Sequence, residues 1–460
     1  MIRETTDANR SVALLTGLAL AAAAGVAITV HPTATILALA VVSIGALIVL
    51  APSTCFPITT ILLSFPLSGW GASLGADLRT RTIICLAIAL VGATAALRFN
   101  TAPPVNTRVV VVLAALFLFI GYQAATTSDY SNQIGARLLT FVTAALVAFS
   151  IWASHRSQPK MVALATTFTV AFLCGEAILG IVQFAAGQLV FMGQALPAAS
   201  ITEATNIPGF VRGIGTFYHA NSLALSLVLG LVMALASLTS QYRAQRLVGL
   251  IALPVLSLGI VASLSRAGVL ALVLVALGYG MLRFGHRRET IVVGIVIVAT
   301  VAAFFVVPGL QSALDRFDPT AASTRDAGSN AARLSNLDGA IGAFVQRPLT
   351  GWGFGTSSLV DVQYGGNTNL GSGNEYLEVL QGGGIILAVI FILLVGVAAP
   401  PFRAALVMRS PLALYALILP LYALVESILQ GDFLVIIAAG LVLTSIAISQ
   451  ANVDSPTSNH

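Results

Sequence analysis

The residues of this chain able to do chemistry are few, because only 8% of its 460 residues are charged. Arg266 stands in Ser265-Arg266-Ala267-Gly268, where one apolar run ends and the next begins with almost no loop between them. Its guanidinium must therefore lie at the edge of a bilayer or in a cavity. Two readings fit that place: snorkelling to lipid headgroups, or bidentate capture of a phosphate or diphosphate, for which a planar fork suits better than an ammonium. Arg333 falls beside the apolar stripe of an expected amphipathic helix, either paired with Asp338 or another acid or serving as a second anion ligand. Glu176, Glu378 and Glu426 fall within apolar runs. Glu176 is close to the centre of its run, where an ionised group is expensive unless paired or solvated. It is a proton or substrate site, or it is bonded to an Arg or a backbone group. His219, in Phe217-Tyr218-His219-Ala220-Asn221, begins a run after a polar segment and is a satisfied interfacial residue or a catalytic one.

These residues must be placed by elements that are almost wholly apolar. Hydrophobic residues make up 57% of the chain, and its charged fraction is about a third of the roughly 25% typical of soluble domains, which excludes a soluble fold. Runs such as Ser11 to Val30 and Gly268 to Met281 are apolar all round, which excludes the alternating pattern of a porin-like barrel. Apolar runs fall at 11–30, 34–52, 55–73, 81–97, 107–124, 135–154, 160–184, 217–238, 245–263, 267–284, 290–307, 383–400, 411–428 and 431–449. Each is close to the length that crosses a bilayer. The run at 55–73 is interrupted by Pro57 and Pro66 and can be interfacial or re-entrant. The expectation is an all-α polytopic membrane protein of about 12 to 14 transmembrane helices with one long outer loop carrying short helices.

Basic residues collect in alternate short loops: Arg98 and Arg108, Arg156 and Lys160, Arg243 and Arg246, Arg283 with Arg287 and Arg288, and Arg403 with Arg409. The positive-inside rule makes those loops cytoplasmic. Both termini then lie in the cytoplasm, 11–30 is a first span rather than a cleaved signal, and Pro308 to Glu375 lies outside. Nine arginines remain on that outer side against the rule: Arg79, Arg81, Arg137, Arg212, Arg266, Arg316, Arg325, Arg333 and Arg347. Cys55, Cys85 and Cys174 lie in apolar runs without metal-ligand spacing and read as packing residues.

The outer segment from Pro308 to Glu375 is too long for a mere connector. Leu334, Leu337, Ile341 and Phe344 recur at helical spacing over 331–345, with Ser329 or Asn330 as N-cap and Pro348 closing the run. Thr350 to Gly355 reads T-G-W-G-F-G, whose glycines permit tight turns and close backbone approach. A second outer segment runs from Ala185 to Thr216. No P-loop, dinucleotide fingerprint or zinc spacing is present, so no cofactor, metal or nucleic acid is expected.

In order, Gly213-Ile214-Gly215-Thr216-Phe217 with Asn221, then Ser265-Arg266, then Arg333, then Arg347-Pro348-Leu349-Thr350-Gly351-Trp352-Gly353-Phe354-Gly355, then Asn374-Glu375-Tyr376-Leu377 resembles the O-antigen ligase and O-antigen polymerase family, over about Val211 to Ile392. The resemblance implies a metal-independent membrane glycosyltransferase of cell-surface polysaccharide synthesis. Its donor would be a glycan on a polyprenyl (undecaprenyl) diphosphate, its acceptor a glycan, a lipid or a protein, and its place the outer face of the cytoplasmic (inner) membrane. It makes Arg266 and Arg333 the ligands of the donor diphosphate, joined by Arg212, with Asn221, Gly351, Gly353 and Asn374 positioning the loops. The chain departs from the family pattern twice: Gly373 stands where members read His, and Gly382 where they read Glu. His219 or Glu375 then becomes the candidate for the base. Three regions are expected: a bundle over 1–216, a ligase-like region over 217–449 that contains the outer loop 308–375, and a cytoplasmic tail over 450–460. The competing readings are a transporter or flippase of a lipid-linked glycan or small anion, with Glu176 and Glu426 as coupling groups, and a non-catalytic paralogue.

Overall fold

The computed structural model describes residues 44–64, 78–97, 107–187, 190–191, 194–195, 211–217, 220–282, 294, 324–364, 374–424 and 434–454. After a helical segment at 44–50 and a 3-10 turn at Pro52–Thr54, the helices are α1 (Cys55–Ser64), α2 (Leu78–Leu97), α3 (Thr107–Thr126), α4 (Ser131–Ser154), α5 (Pro159–Ala186), α6 (Ala220–Leu238), α7 (Arg243–Ala262), α8 (Arg266–Leu282), α9 (Thr324–Gln346), α10 (Ser357–Gln363), α11 (Glu375–Val407), α12 (Leu414–Ala423) and α13 (Leu434–Asp454). The described residues are helical apart from turns and one two-residue antiparallel pairing, in which Val190 faces Ala195 and Phe191 faces Gln194.

Helix is the form these runs must take, because hydrocarbon offers no partner for a free backbone N–H or C=O. Six helices (α3, α4 with the turn before it, α5, α6, α7 and α11) are long and apolar enough to cross a membrane, and α2, α8, α12 and α13 contain shorter apolar stretches. Large apolar side chains remain exposed on the outer faces, among them Leu118 at 75% and Val407 at 78%. Surface of that kind is stable against lipid and not against water.

The helix α6 is the most enclosed of the six. Small residues let its neighbours approach, as they do where helices associate without water to drive them. A Cβ on Gly268 of α8 would lie 2.7 Å from Ala224 Cβ, and one on Gly259 of α7 would lie 2.5 Å from Ala177 Cβ of α5.

Contacts between helices fix which ends lie together. Gln245 Nε2 donates to Ala163 O at 2.8 Å near the starts of α7 and α5, while Gly213 N donates to Ala262 O at 2.9 Å beyond their far ends. Asn374 Nδ2 donates to Leu424 O (3.2 Å) and Tyr376 Oη to Pro420 O (3.1 Å), joining the start of α11 to the end of α12. One end of the bundle, the loop end, therefore holds the end of α3, the start of α4, the end of α5, residues 211–217, the start of α6, the α7–α8 turn, residues 347–357 and the start of α11. The opposite end holds Arg156, Lys160, Arg243, Arg246 and Arg409 in or beside its turns.

The sequence-based spans are matched closely for α2 to α8. The amphipathic helix expected over 331–345 is Thr324–Gln346. The run expected at 383–400 differs most. Its helix begins at Glu375 and breaks at Gly384, where φ is 61° and ψ −160°. The runs at 11–30 and 290–307 lie outside the described residues except for residue 294, as does Glu426.

Candidate functional site

The site is built around the turn that joins α7 to α8. Ser263, Leu264 and Ser265 reverse the chain in three residues, and Leu264 adopts a positive φ of 50°, uncommon for a residue with a side chain. Backbone of this kind costs of order 1–3 kcal/mol and persists only where its surroundings over-determine it. Here they do. Ser263 Oγ donates to Ile260 O (2.6 Å) and accepts from Ser265 N (3.2 Å), and Ser265 Oγ accepts from Gly268 N (3.2 Å) as the N-cap of α8. Arg266 is the first residue of that helix. It is exposed, and its side chain has no hydrogen bond, ion pair or ring contact among the described residues.

Arg212 is engaged quite differently. Its Nε donates to Ser263 O and its Nη2 to Asn221 Oδ1, both at 3.0 Å. It ties the segment before α6 to the α7–α8 turn, and Asn221 holds the far side of its guanidinium. Asn221, expected to position a loop, bonds Arg212, and Arg212 bonds the turn that presents Arg266.

A second cluster surrounds the T-G-W-G-F-G segment. The break in α11 frees backbone groups that the segment then takes up. Trp352 N donates to Gln381 O (3.0 Å), Gly353 N to Gly382 O (2.7 Å), Ile385 N to Pro348 O (2.8 Å) and Ile386 N to Leu349 O (3.3 Å). Gly351 is needed for this close approach, since a Cβ there would fall 2.5 Å from Gly383 N and nearer still to the Gly382 carbonyl. Gly353 meets Ile134 of α4, and the side chain of Arg137, one turn on, passes Gly355 at 2.5 Å from the position a Cβ would take. Gly382, where the family pattern has Glu, stands with its Cβ position 3.0 Å from Phe354 Cα. A larger residue there would push the loop away.

Gln123 of α3 locks this arrangement. Its Nε2 donates to Thr350 O (2.6 Å) and Gly382 O (2.8 Å), and its Oε1 accepts from Phe354 N (3.2 Å). At the loop's edge Arg347 lies over the Trp352 ring, 3.9 Å from its centroid, a cation–π contact, while Trp352 Nε1 donates to Ala343 O at 2.8 Å.

Asn374 caps α11, its Oδ1 accepting from Tyr376 N (3.0 Å) and Leu377 N (3.3 Å). Glu375 and Glu378 follow in the first turn, where the helix dipole favours acids. Both are only 4% exposed, and neither is without a partner. Glu176, central in its apolar run, is paired with backbone and hydroxyl: Oε2 accepts from Thr216 N (2.7 Å) and Oε1 from Thr216 Oγ1 (2.8 Å). Of its two sequence readings, the structure shows the bonded one.

Arg212, Asn221 and Arg266 are thus brought together at the loop end, and Gly351 and Gly353 meet α11 at that same end. Arg333 lies in α9, with its side chain outside the described residues, as are all of His219 and Gly373. Sequence reasoning missed Gln123 and Gln183. The available signal was a lone amide near the end of an otherwise apolar run.

The fold and its exposed apolar faces define an integral helical membrane protein. Residues 251–392 match the family model described as O-antigen ligase. The match takes in Ser265-Arg266, the T-G-W-G-F-G segment and the start of α11, and it points to glycan processing of the ligase or polymerase type. The motif around Gly213 and Asn221 precedes it. None of the curated proteins matches the chain.

Proposed function

We propose that the protein transfers or polymerises glycans from a polyprenyl diphosphate-linked donor at the outer face of the cytoplasmic membrane, with Arg266 and Arg333 as ligands of the diphosphate. The observation that carries this reading is Arg266 itself, an exposed guanidinium without a partner among the described residues, on a turn fixed by Ser263, Ser265 and Arg212 inside the family-matched stretch. The basic residues at the opposite end support a cytoplasmic assignment for that end, which leaves the loop end outside and both termini within. With the runs beyond the described residues added, the chain has about 12 to 14 transmembrane helices and a long periplasmic loop.

In the reaction an acceptor hydroxyl oxygen attacks the anomeric carbon. The new carbon–oxygen bond forms as the bond to the diphosphate breaks, and the electron pair leaves on a phosphate oxygen. Preorganised guanidinium groups stabilise that developing charge most in the transition state. The acceptor's proton passes to a base, for which His219 and Glu375 are the candidates in place of the family's His. Glu375 is buried, so it serves as base only if acceptor binding exposes it.

A broken helix is also a mark of transporters, where the free ends line a substrate cavity. In α11 the groups freed at the break are bonded to Pro348–Gly353, which favours the enzyme. The test is transfer in membranes from a polyprenyl diphosphate-linked donor. Arg266→Ala and Arg333→Ala are each expected to lower the rate by about 10²- to 10³-fold, the scale of losing one charge-stabilising donor. Unchanged product in both variants at normal expression would overturn the assignment.

A further inference from the structure

We infer that Glu176 and Gln183 of α5, which precede the family-matched stretch, are positioning residues for the donor-diphosphate site. The inference rests on the reading of Arg266 as a donor ligand. Residues 176, 180 and 183 share one face of α5, and all three meet the segment 213–216. Glu176 takes Thr216 N and Thr216 Oγ1 on its two oxygens. Gln183 Oε1 accepts from Ile214 N (3.0 Å) and Gly215 N (2.9 Å), while its Nε2 donates to Gly215 O (2.9 Å). Between them Gly180 allows backbone to touch backbone, for a Cβ on Gly213 would lie 2.8 Å from the Gly180 carbonyl carbon.

The segment so held leads directly to the site. Gly213 N bonds Ala262 O at the end of α7, and Arg212 bonds Ser263 O and Asn221 Oδ1. The contacts run unbroken from Glu176 and Gln183 through 213–216 to Arg212, and from Arg212 to the turn that carries Arg266. In a dry bundle such bonds are strong. Each Glu176 oxygen already accepts a hydrogen bond, which suits an anchor better than a carrier of protons.

The experiment measures donor KM, acceptor KM and kcat for full-length protein in membranes, with a polyprenyl diphosphate-linked glycan as donor. Glu176→Ala is expected to lower kcat/KM for the donor by up to about 100-fold, the reach of a displaced positioning group, with acceptor KM unmoved. Glu176→Gln is expected to keep most of the activity and an unchanged pH profile, because its Oε1 can accept from Thr216 N while its Nε2 donates to Thr216 Oγ1. Gln183→Ala should resemble Glu176→Ala. If Glu176→Ala fails to accumulate, Thr216→Val against Thr216→Ser decides, with only the serine retaining native donor KM. A Glu176→Gln variant as inactive as Glu176→Ala at normal expression overturns the inference in favour of proton transfer, and native donor KM in Glu176→Ala overturns it outright. Arg266→Ala assayed alongside separates the two claims. Native activity there fails the donor reading, whereas its loss beside a native-like Glu176→Ala fails only this one.

Discussion

Replacing Gly384 by alanine tests the coupling between the broken helix and the loop that fills the break. The residue sits at φ 61° and ψ −160°, a region essentially restricted to glycine, where a side chain costs about 1–3 kcal/mol. The added Cβ would stand 2.6 Å from Pro348 O and nearer still to the Leu349 carbonyl. The loop must retreat, and with it go the bonds from Ile385 N to Pro348 O (2.8 Å) and from Ile386 N to Leu349 O (3.3 Å). At about 1 kcal/mol for each bond, the expected total is about 3–5 kcal/mol. Gly396 is an internal control on the same helix, where an added Cβ meets nothing within 4 Å and alanine should gain about 0.5–1 kcal/mol. Thermal unfolding of the full-length protein in lipid nanodiscs reads the difference, and limited proteolysis reads release of residues 347–357. Gly384→Ala unfolding at the same temperature as Gly396→Ala, with the loop still protected, would refute the reasoning.

Gln123→Leu removes three bonds, to Thr350 O, Gly382 O and Phe354 N; Gly382 O keeps Gly353 N, while Thr350 O and Phe354 N each lose a partner at about 1–3 kcal/mol. A clear fall in unfolding temperature is expected, with proteolytic exposure of the same loop. His155, just past the end of α4, has its pKa lowered from 6.5 mainly by burial, opposed by its bond to Trp152 O and reinforced by Arg156. The unfolded chain therefore takes up the proton first, so stability should be full above the ordinary value and decline as pH falls through it. His155→Asn should flatten that decline in unfolding temperature measured between about pH 7.5 and 5.5.

Much of the bundle was legible because its signal is local. A run that is apolar all round is helix in lipid whatever its neighbours are, so α3 to α8 fall within a few residues of their expected bounds. Arg266 was legible as a candidate for the same reason: Ser265-Arg266 has so little loop around it that the guanidinium had to lie at the bilayer edge or in a cavity, and the structure leaves the residue exposed. The break at Gly384 was not, although three consecutive glycines, 382–384, marked the place. A helix breaks there only because Pro348 to Gly353 supplies the missing partners, and that pairing joins segments distant in sequence. Glu176 illustrates the same limit. Its depth in an apolar run announced that something must satisfy it, but Thr216 is forty residues away, and no periodicity within either segment names the other.

The family-matched stretch does not hold its own geometry. Arg212 bonds Ser263 from outside it, Gln123 bonds Thr350, Phe354 and Gly382 from outside it, and Ile134 and Arg137 occupy the space that Gly353 and Gly355 leave open. Buried backbone groups cannot lose such partners without a cost comparable to a lost hydrogen bond, so these helices are part of the site even where they carry none of its motifs. An exposed arginine gains affinity for an anion to the degree that its backbone is already fixed, because less freedom is then surrendered on binding. The turn at 263–265 supplies that fixity to Arg266, and it does so through contacts that begin on α5. Changes in the proposed donor site are therefore to be sought also among residues that never touch the donor.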